Sequence, residues 1–321
     1  YNKRTNDLLL NFPLPSSAGL PFIVDNAGSV ENRGFEVTLD AKIIENNKFH
    51  WKSNFNWSNN RTKVLSLGDT NADIFGPGPA TNIVNQPSNV MRVGQPFSAL
   101  YGYKISGVLQ ESDFDSNGNS LVPVLGSQRA GQYKFVDIDG DGSITARDQD
   151  IIGDPNPDFI FGWTNEFRYK RLNLSIFFQG SIGNDLMNID RLFFASGRFQ
   201  NNVYQDWFTN RWTPNNPTNN PRYADNGNQQ AMLQPNSAAV EDGSYIRLRN
   251  VSLGYMINTN KIDQIKAMRV YFTGTNLFTI TNYSGSDPEV NIRGGNNLAQ
   301  GIDFASYPRA RTFTLGVSMQ F

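Results

Sequence analysis

The chain has 321 residues, with 28 Lys and Arg against 29 Asp and Glu, so its net charge of −1 implies no polyanion partner such as nucleic acid. Cysteine is absent, which removes disulfides and thiolate metal sites, and His50 is the single histidine, which argues against a histidine-based triad or zinc centre. Mean hydropathy is −0.47 and no apolar run is long enough for a spanning helix, which excludes a helical membrane protein but not a β-barrel, whose strands are half polar.

From the first residue the pattern is that of strands. Asp7-Leu-Leu-Leu-Asn11 reads as the end of a strand already under way, and Tyr1 opens no signal peptide, so the chain is expected to be the carboxy-terminal portion of something longer. Phe35, Val37, Leu39, Ala41 and Ile43 alternate with Glu36, Thr38, Asp40 and Lys42, then a tight Glu45-Asn-Asn-Lys48 turn leads into Phe49, Trp51, Phe55 and Trp57. A Gly-, Pro- and Asn-rich region, 67–157, follows; within it 98–110 and 132–136 look extended and are expected to form a hairpin. Phe159, Phe161, Trp163, Phe167 and Tyr169 face Leu172, Leu174, Ile176 and Phe178 across Lys170-Arg171. After a loop at 185–243, Val251, Leu253 and Tyr255 lead through a polar turn to Met268, Val270 and Phe272, and a last loop, 281–309, returns to the closing strand. There Phe313, Leu315, Val317, Met319 and Phe321 alternate with Thr314, Gly316, Ser318 and Gln320.

A strand with one apolar and one polar face suits a lipid-exposed barrel and a soluble sandwich equally. Loop lengths separate the two, because the turns at one end are a few residues long while the loops at the other run to tens of residues. Ordinary domains rarely carry several loops of that length, whereas outer-membrane barrels pair short periplasmic turns with long outer loops. The count is about eight spanning strands, and its parity brings the last one down to the turn end. Aromatics gather near the predicted strand ends, Phe49, Trp51, Tyr169, Tyr255 and Phe321 on the turn side and Trp57, Phe278 and Tyr283 on the loop side, as two interfacial girdles would require.

One loop carries a metal-binding pattern. In Asp137-Ile-Asp139-Gly-Asp141-Gly-Ser143-Ile-Thr145-Ala-Arg-Asp148, positions 1, 3, 5 and 12 are acidic, position 6 is glycine and position 8 is apolar. Carboxylates with the Ser143 carbonyl, and Thr145 through a water, are the ligands expected around a structural calcium ion. Aspartate at position 12 shortens the bidentate reach, and Pro155 and Pro157 leave no room for a flanking helix pair. Asp113-Phe-Asp115-Ser-Asn117-Gly118 imitates half of such a loop, but Val124 stands at its position 12, so it reads as a solvated turn. Trp207 and Trp212, with Tyr204 and Phe208, are candidates for stacking on a ligand or for packing the loop. Arg247, Arg249 and Arg269 are expected on the lumenal face, either exposed to what passes or paired with carboxylates of a plug. No catalytic constellation is present.

In order and spacing, a series of blocks resembles the SusC-like (RagA-like) TonB-dependent outer-membrane transporters of Bacteroidetes. They are Phe135-Val-Asp-Ile-Asp-Gly-Asp-Gly-Ser-Ile144, Ile152-Gly-Asp-Pro-Asn-Pro-Asp-Phe159, Phe177-Phe-Gln-Gly-Ser181 with Gly183-Asn-Asp185, and Arg211-Trp-Thr-Pro214 with Pro221-Arg222. Ser244-Tyr-Ile-Arg-Leu-Arg-Asn-Val-Ser-Leu-Gly-Tyr255 and Asn276-Leu-Phe-Thr-Ile-Thr-Asn-Tyr-Ser-Gly285 with Asp287-Pro-Glu289 complete the set. The resemblance implies an all-β antiparallel transmembrane barrel of about 22 strands, of which residues 1–321 supply the carboxy-terminal part, the plug lying outside this chain. It further implies uptake of oligosaccharides or peptides, a SusD-like surface lipoprotein as lid, energy from TonB, outer-membrane lipid around the strands, and Phe321 as the aromatic that insertion machinery reads. Three alternatives accompany this reading: a SusC-like barrel acting as scaffold of another envelope complex, a secreted calcium-dependent carbohydrate-binding β protein, and a small barrel closed by these strands alone.

Overall fold

The computed structural model describes every residue except 14–18, 20–21, 79–85, 197–201, 223–230, 232, 261, 263 and 293–295. Eight long strands form its frame: β1 Asn2–Pro13, β2 Phe22–Glu45, β3 Phe49–Leu67, β4 Phe159–Tyr169, β5 Leu172–Ile182, β6 Tyr245–Ile257, β7 Ala267–Thr281 and β8 Thr312–Gln320. They pair in chain order as one eight-stranded antiparallel sheet. Among the described residues β1 and β8 do not pair with each other, so these strands do not close into a barrel by themselves.

The register carries the alternation of each strand across the whole sheet. Ile44, Trp51, Phe167, Leu174, Leu253, Phe272 and Leu315 form one continuous cross-strand row from β2 to β8. A parallel row runs Phe49, Tyr169, Leu172, Tyr255, Val270, Val317. On the other face lie Lys52, Glu166, Ser175, Ser252, Thr273 and Thr314. A one-residue slip anywhere would invert a strand, so these faces fix the pairing. The expected alternation through Ile43 is corrected by a bulge between Lys42 and Ile44, which moves Ile44 into the row opposite Trp51.

The sheet's apolar face is uncovered: Leu315 is 74% exposed, Phe35 64%, and Trp163, Leu253, Phe272 and Phe313 are exposed as well. Each large apolar side chain left in water forgoes about 1.5–3 kcal/mol relative to burial, so a face of this extent requires a non-aqueous surrounding. Tight turns close one end. Asn46 Oδ1 accepts the amides of Lys48 at 3.0 Å and Phe49 at 2.8 Å, and Lys170 turns the β4–β5 hairpin with φ +53°.

The protein's buried core lies in the long loops at the other end. Ile74–Phe75, Asn89–Met91, Ala99–Tyr103 and Gln149–Gly153 make a four-stranded sheet, and Ile105–Val108 pairs with Tyr133–Phe135. Asp185–Asn188 sits between antiparallel Val240–Asp242 and parallel Ile302–Asp303, followed by helices α1 (Ile189–Ser196) and α2 (Gln205–Asn210). Leu100, Met187, Ile189, Leu192, Ala239 and Ile302 form one apolar cluster there, and Tyr103, Tyr133, Phe135, Ile144 and Ala231 another. The single hairpin expected over 98–110 and 132–136 is therefore divided. Its second half forms as expected, while Ala99–Tyr103 joins Gln149–Gly153, a partner without alternation to reveal it. Tyr283 is also corrected. It is 5% exposed with its hydroxyl on Asp303, so it belongs to the loop core and not to an interfacial girdle.

Candidate functional site

The acidic loop is anchored by its apolar residue: Ile144 buries in the cluster of Tyr103, Tyr133, Phe135 and Ala231, against which Trp207 packs. Above that anchor, carboxylate oxygens of Asp137, Asp139 and Asp141 converge within 4.8 Å of one another. The Arg147 guanidinium lies against this trio, with Nε 3.1 Å from Asp139 Oδ2 and Nη2 on Asp141 Oδ2. Asp137 also accepts the amides of Gly140 at 2.7 Å and Gly142 at 2.9 Å. Asp148 is not brought to the cluster. Its buried carboxylate accepts the amides of Ile138 at 2.8 Å and Thr145 at 2.7 Å, which clasps the loop shut. Burial pulls that carboxyl upward, but the amides of Thr145, Ile138 and Asp139 outweigh it and hold it below the usual aspartate range. The Thr145 hydroxyl accepts the Arg147 amide at 3.2 Å as a helix cap. Asp137, Asp139 and Asp141 thus converge at one point, with Arg147 against them, while Thr145 and Asp148 serve the loop's backbone. The half-motif at Asp115 is a turn, as expected, with Oδ1 accepting Asn117 and Asn119 amides at 2.8 Å each.

Of the two arginines of β6, Arg247 is buried among carboxylates of this chain, while Arg249 stays partly exposed. Arg247 is 2% exposed and donates from Nη2 to Asp287 Oδ1 at 2.5 Å, Nη1 to Glu289 Oε2 at 3.1 Å and Nε to Thr279 Oγ1 at 2.9 Å. Arg249 reaches Asn276 Oδ1 at 3.0 Å and Glu289 at 3.4 Å, and Arg309 closes on Glu289 at 3.2 Å. Burial raises the Asp287 carboxyl, yet the Arg247 guanidinium and the Glu289 amide leave it below its ordinary value. The Asp287-Pro-Glu289 block is therefore a clasp that ties the β7–β8 loop to the strands. Recognising Asp287 and Glu289 as partners from sequence required knowing that the loop folds back over β6.

Trp212 is likewise structural. It is 4% exposed, with Nε1 donating to Gln110 Oε1 at 2.8 Å and its ring against Gly131, where φ is +88° and a Cβ would meet the indole at 2.4 Å. Tyr204 and Phe208 remain exposed, and Trp207 is half-buried. Arg269 is half-buried on the polar face. With His50, Lys52, Glu166, Arg168 and Asn173 it lines a concavity of about 510 Å³ on the polar face near the turn end. Its guanidinium lies 5.7 Å from the Tyr271 ring, and its Nε makes no hydrogen bond. Phe321, just past β8, is exposed, and Lys266 Nζ donates to its carbonyl oxygen at 2.8 Å.

An antiparallel sheet that is apolar outside, polar inside, tightly turned at one end and roofed by folded loops at the other defines the wall of an outer-membrane β-barrel. Among the described residues no helix is long and apolar enough to cross a membrane. Solved structures of the RagAB peptide transporter share this fold, with a TM-score of 0.72 at 23% identity over all of this chain and 32% of theirs. Its importer form in a closed-closed state gives 0.74 at 21%, covering 33% of that chain. No family model matches the chain. The TonB-dependent receptor P3 of Formosa agariphila is 36% identical over 328 residues, covering the whole chain and 32% of the relative. The TonB-dependent receptor SusC of Bacteroides thetaiotaomicron is 29% identical over 332 residues, with 29% of its length covered. The chain belongs to the SusC/RagA-like TonB-dependent receptors, and it spans about a third of the length of the curated relatives it matches. These relatives are named as receptors, not enzymes, in keeping with the lack of a catalytic constellation in the sequence.

Proposed function

We propose that this chain forms part of the wall and outer roof of an outer-membrane transporter that imports oligosaccharides or peptides, with TonB supplying the energy and a SusD-like lipoprotein covering the loops. The observation that carries this reading is the inverted distribution of apolar side chains, exposed along the sheet and buried in the loops. The same observation disfavours a secreted soluble β protein, which would bury the aromatics of the strands. Substrate would meet the folded loops and then the polar face, where Lys52, Arg168 and Arg269 stand around the concavity. No covalent step is involved; the residues of this chain shape and charge a passage.

The acidic loop adds a structural calcium site. Asp137, Asp139 and Asp141 supply carboxylate oxygens and Ser143 its carbonyl, and Arg147 gives way to the ion. Calcium there would rigidify the loop over the Ile144 anchor. In calorimetry on the full-length receptor, Asp139→Asn should remove one calcium-binding event; an unchanged isotherm refutes the site.

The transport reading is tested by uptake in a strain lacking the gene. Loss of uptake of one class of oligomer, restored by the wild-type gene, is expected. Normal uptake beside failed assembly of another envelope complex would replace transport by scaffolding, and recovery of the protein in buffer without detergent would end the membrane assignment.

A further inference from the structure

A second acidic seam lies where the loops after β5 and β7 are joined. The central strand Asp185–Asn188 places Asn188 opposite Asp303 of the parallel strand, and α1 starts at the next residue, Ile189. Asp190, Glu241 and Asp303 collect there. Glu241 is fully engaged: it accepts from Asn188 Nδ2 at 3.1 Å, Ser284 Oγ at 2.7 Å and the Ser284 amide at 2.8 Å, and it pairs with Arg191 at 3.6 Å. Asp303 is 2% exposed; its Oδ2 accepts the Tyr283 hydroxyl at 2.6 Å, while its Oδ1 is buried and accepts no hydrogen bond. Both oxygens of Asp190 share one donor, the Ala305 amide, at 3.1 Å each. Ala305 lies two residues past Asp303, and Asn188, two residues before Asp190, pairs with Asp303, so the two carboxylates stand at one seam.

With Arg191 committed to Glu241, two negative charges remain against one hydroxyl and one amide. A desolvated carboxylate oxygen without a donor is unfavourable, and it selects for a positive partner. The donors are oxygens only, since the chain has no cysteine and its one histidine, His50, sits on β3. We propose that a hard divalent cation of calcium type bridges Asp303 Oδ1 and the Asp190 carboxylate, locking loop 185–243 to loop 281–309. A divalent ion balances the residual charge, and oxygen-only donors match a hard cation. This site is separate from the Asp137–Asp141 loop and shares no residue with it.

The test uses the full-length receptor, stripped with EDTA and carrying Asp137→Asn, Asp139→Asn and Asp141→Asn to remove the loop's own cluster. Terbium is the probe, its luminescence excited through tyrosine, because the Tyr283 hydroxyl touches Asp303. A calcium-competed signal is expected, weakened at least tenfold in affinity by Asp303→Asn and by Asp190→Asn and retained in Tyr283→Trp, which keeps both carboxylates and a sensitising ring. Identical terbium binding with and without Asp303→Asn overturns the proposal. As a readout independent of folding defects in the variants, calcium should slow hydrogen exchange in peptides covering 185–192 and 299–306 of the loop-neutralised protein. Exchange there that ignores calcium also overturns it.

Discussion

Replacing Arg247 by methionine should free the β7–β8 loop from the strands without dissolving the sheet. The wild-type guanidinium is 2% exposed and holds Asp287, whose side chain is 6% exposed, at 2.5 Å. Without it, Glu289 keeps Arg249 at 3.4 Å and Arg309 at 3.2 Å, but Asp287 is left as a buried charge with no cation. Stranding one member of a buried pair costs about 3–5 kcal/mol. Glu289→Gln acts on a carboxylate 29% exposed and served by three arginines, and should cost about 1 kcal/mol or less. At about 1.4 kcal/mol per tenfold, hydrogen exchange in a peptide covering 285–291 should accelerate a hundredfold to a few thousandfold in Arg247→Met, and less than tenfold in Glu289→Gln. The double substitution Arg247→Met with Asp287→Leu should recover much of the protection, because the stranded charge is gone. Unchanged exchange in Arg247→Met, or equal effects of the two single substitutions, would refute the clasp.

Other consequences follow from the same geometry. Asp287 has a folded-state pKa below its unfolded one, so its contribution is complete above the ordinary aspartate value of about 3.9 and is lost as pH falls through the depressed folded value; loop protection factors, corrected for the intrinsic pH dependence of exchange, should be flat from neutral pH to about 5 and fall only below about 4. Leu315→Arg places a charge on the apolar face and should cost about 2–4 kcal/mol if the site lies near the bilayer midplane, whereas Thr314→Arg on the polar face should leave the yield of heat-modifiable folded receptor near wild type; equal yields would contradict the assigned faces. Deleting Phe321, which projects exposed beyond β8, should lower the amount of receptor assembled in the membrane, and normal assembly would remove its role as an insertion signal.

The wall was legible in the sequence because strand alternation is a local signal. The rows through Phe167, Leu253 and Leu315 follow from side chains two residues apart and from turns such as Lys170-Arg171 that fix the register. The roof was not, because its pairings join distant segments. Gln149–Gly153 shows no alternation until Ala99–Tyr103 lies beside it. Trp212 looks like an exposed platform until Gln110, 102 residues away, takes its indole N–H. The acidic loop lies between these cases: its spacing announced Asp137, Asp139 and Asp141, while the turn that draws Asp148 onto the amides of Ile138 and Thr145 depends on Thr145 capping a helical turn.

That contrast explains what several of the recurring sequence blocks do. The Gly153-Asp-Pro-Asn-Pro-Asp158 and Gly183-Asn-Asp185 segments meet at the loop-end rim of β4 and β5. There Asp185 Oδ2 accepts the Asp154 amide at 2.8 Å, and the Asp154 carbonyl accepts the Asp185 amide at 2.7 Å. Asn156 Nδ2 donates to the Phe97 carbonyl at 2.9 Å, Asn59 Nδ2 to the Asp158 carbonyl at 2.5 Å, and Arg61 pairs with the Asp158 carboxylate. Gly183 packs on that carboxylate with φ +85°, where a Cβ would come within 2.3 Å of Asp158 Oδ2. Asp287 and Glu289 perform the same service at the rim of β6 and β7. Long loops tolerate change where they face solvent, but each must leave and re-enter a rigid wall at a fixed place, and the polar backbone at that bend needs partners supplied by side chains. Several of the blocks that carry the family resemblance therefore fall at the joints between wall and roof, where the geometry of the bend restricts the residue.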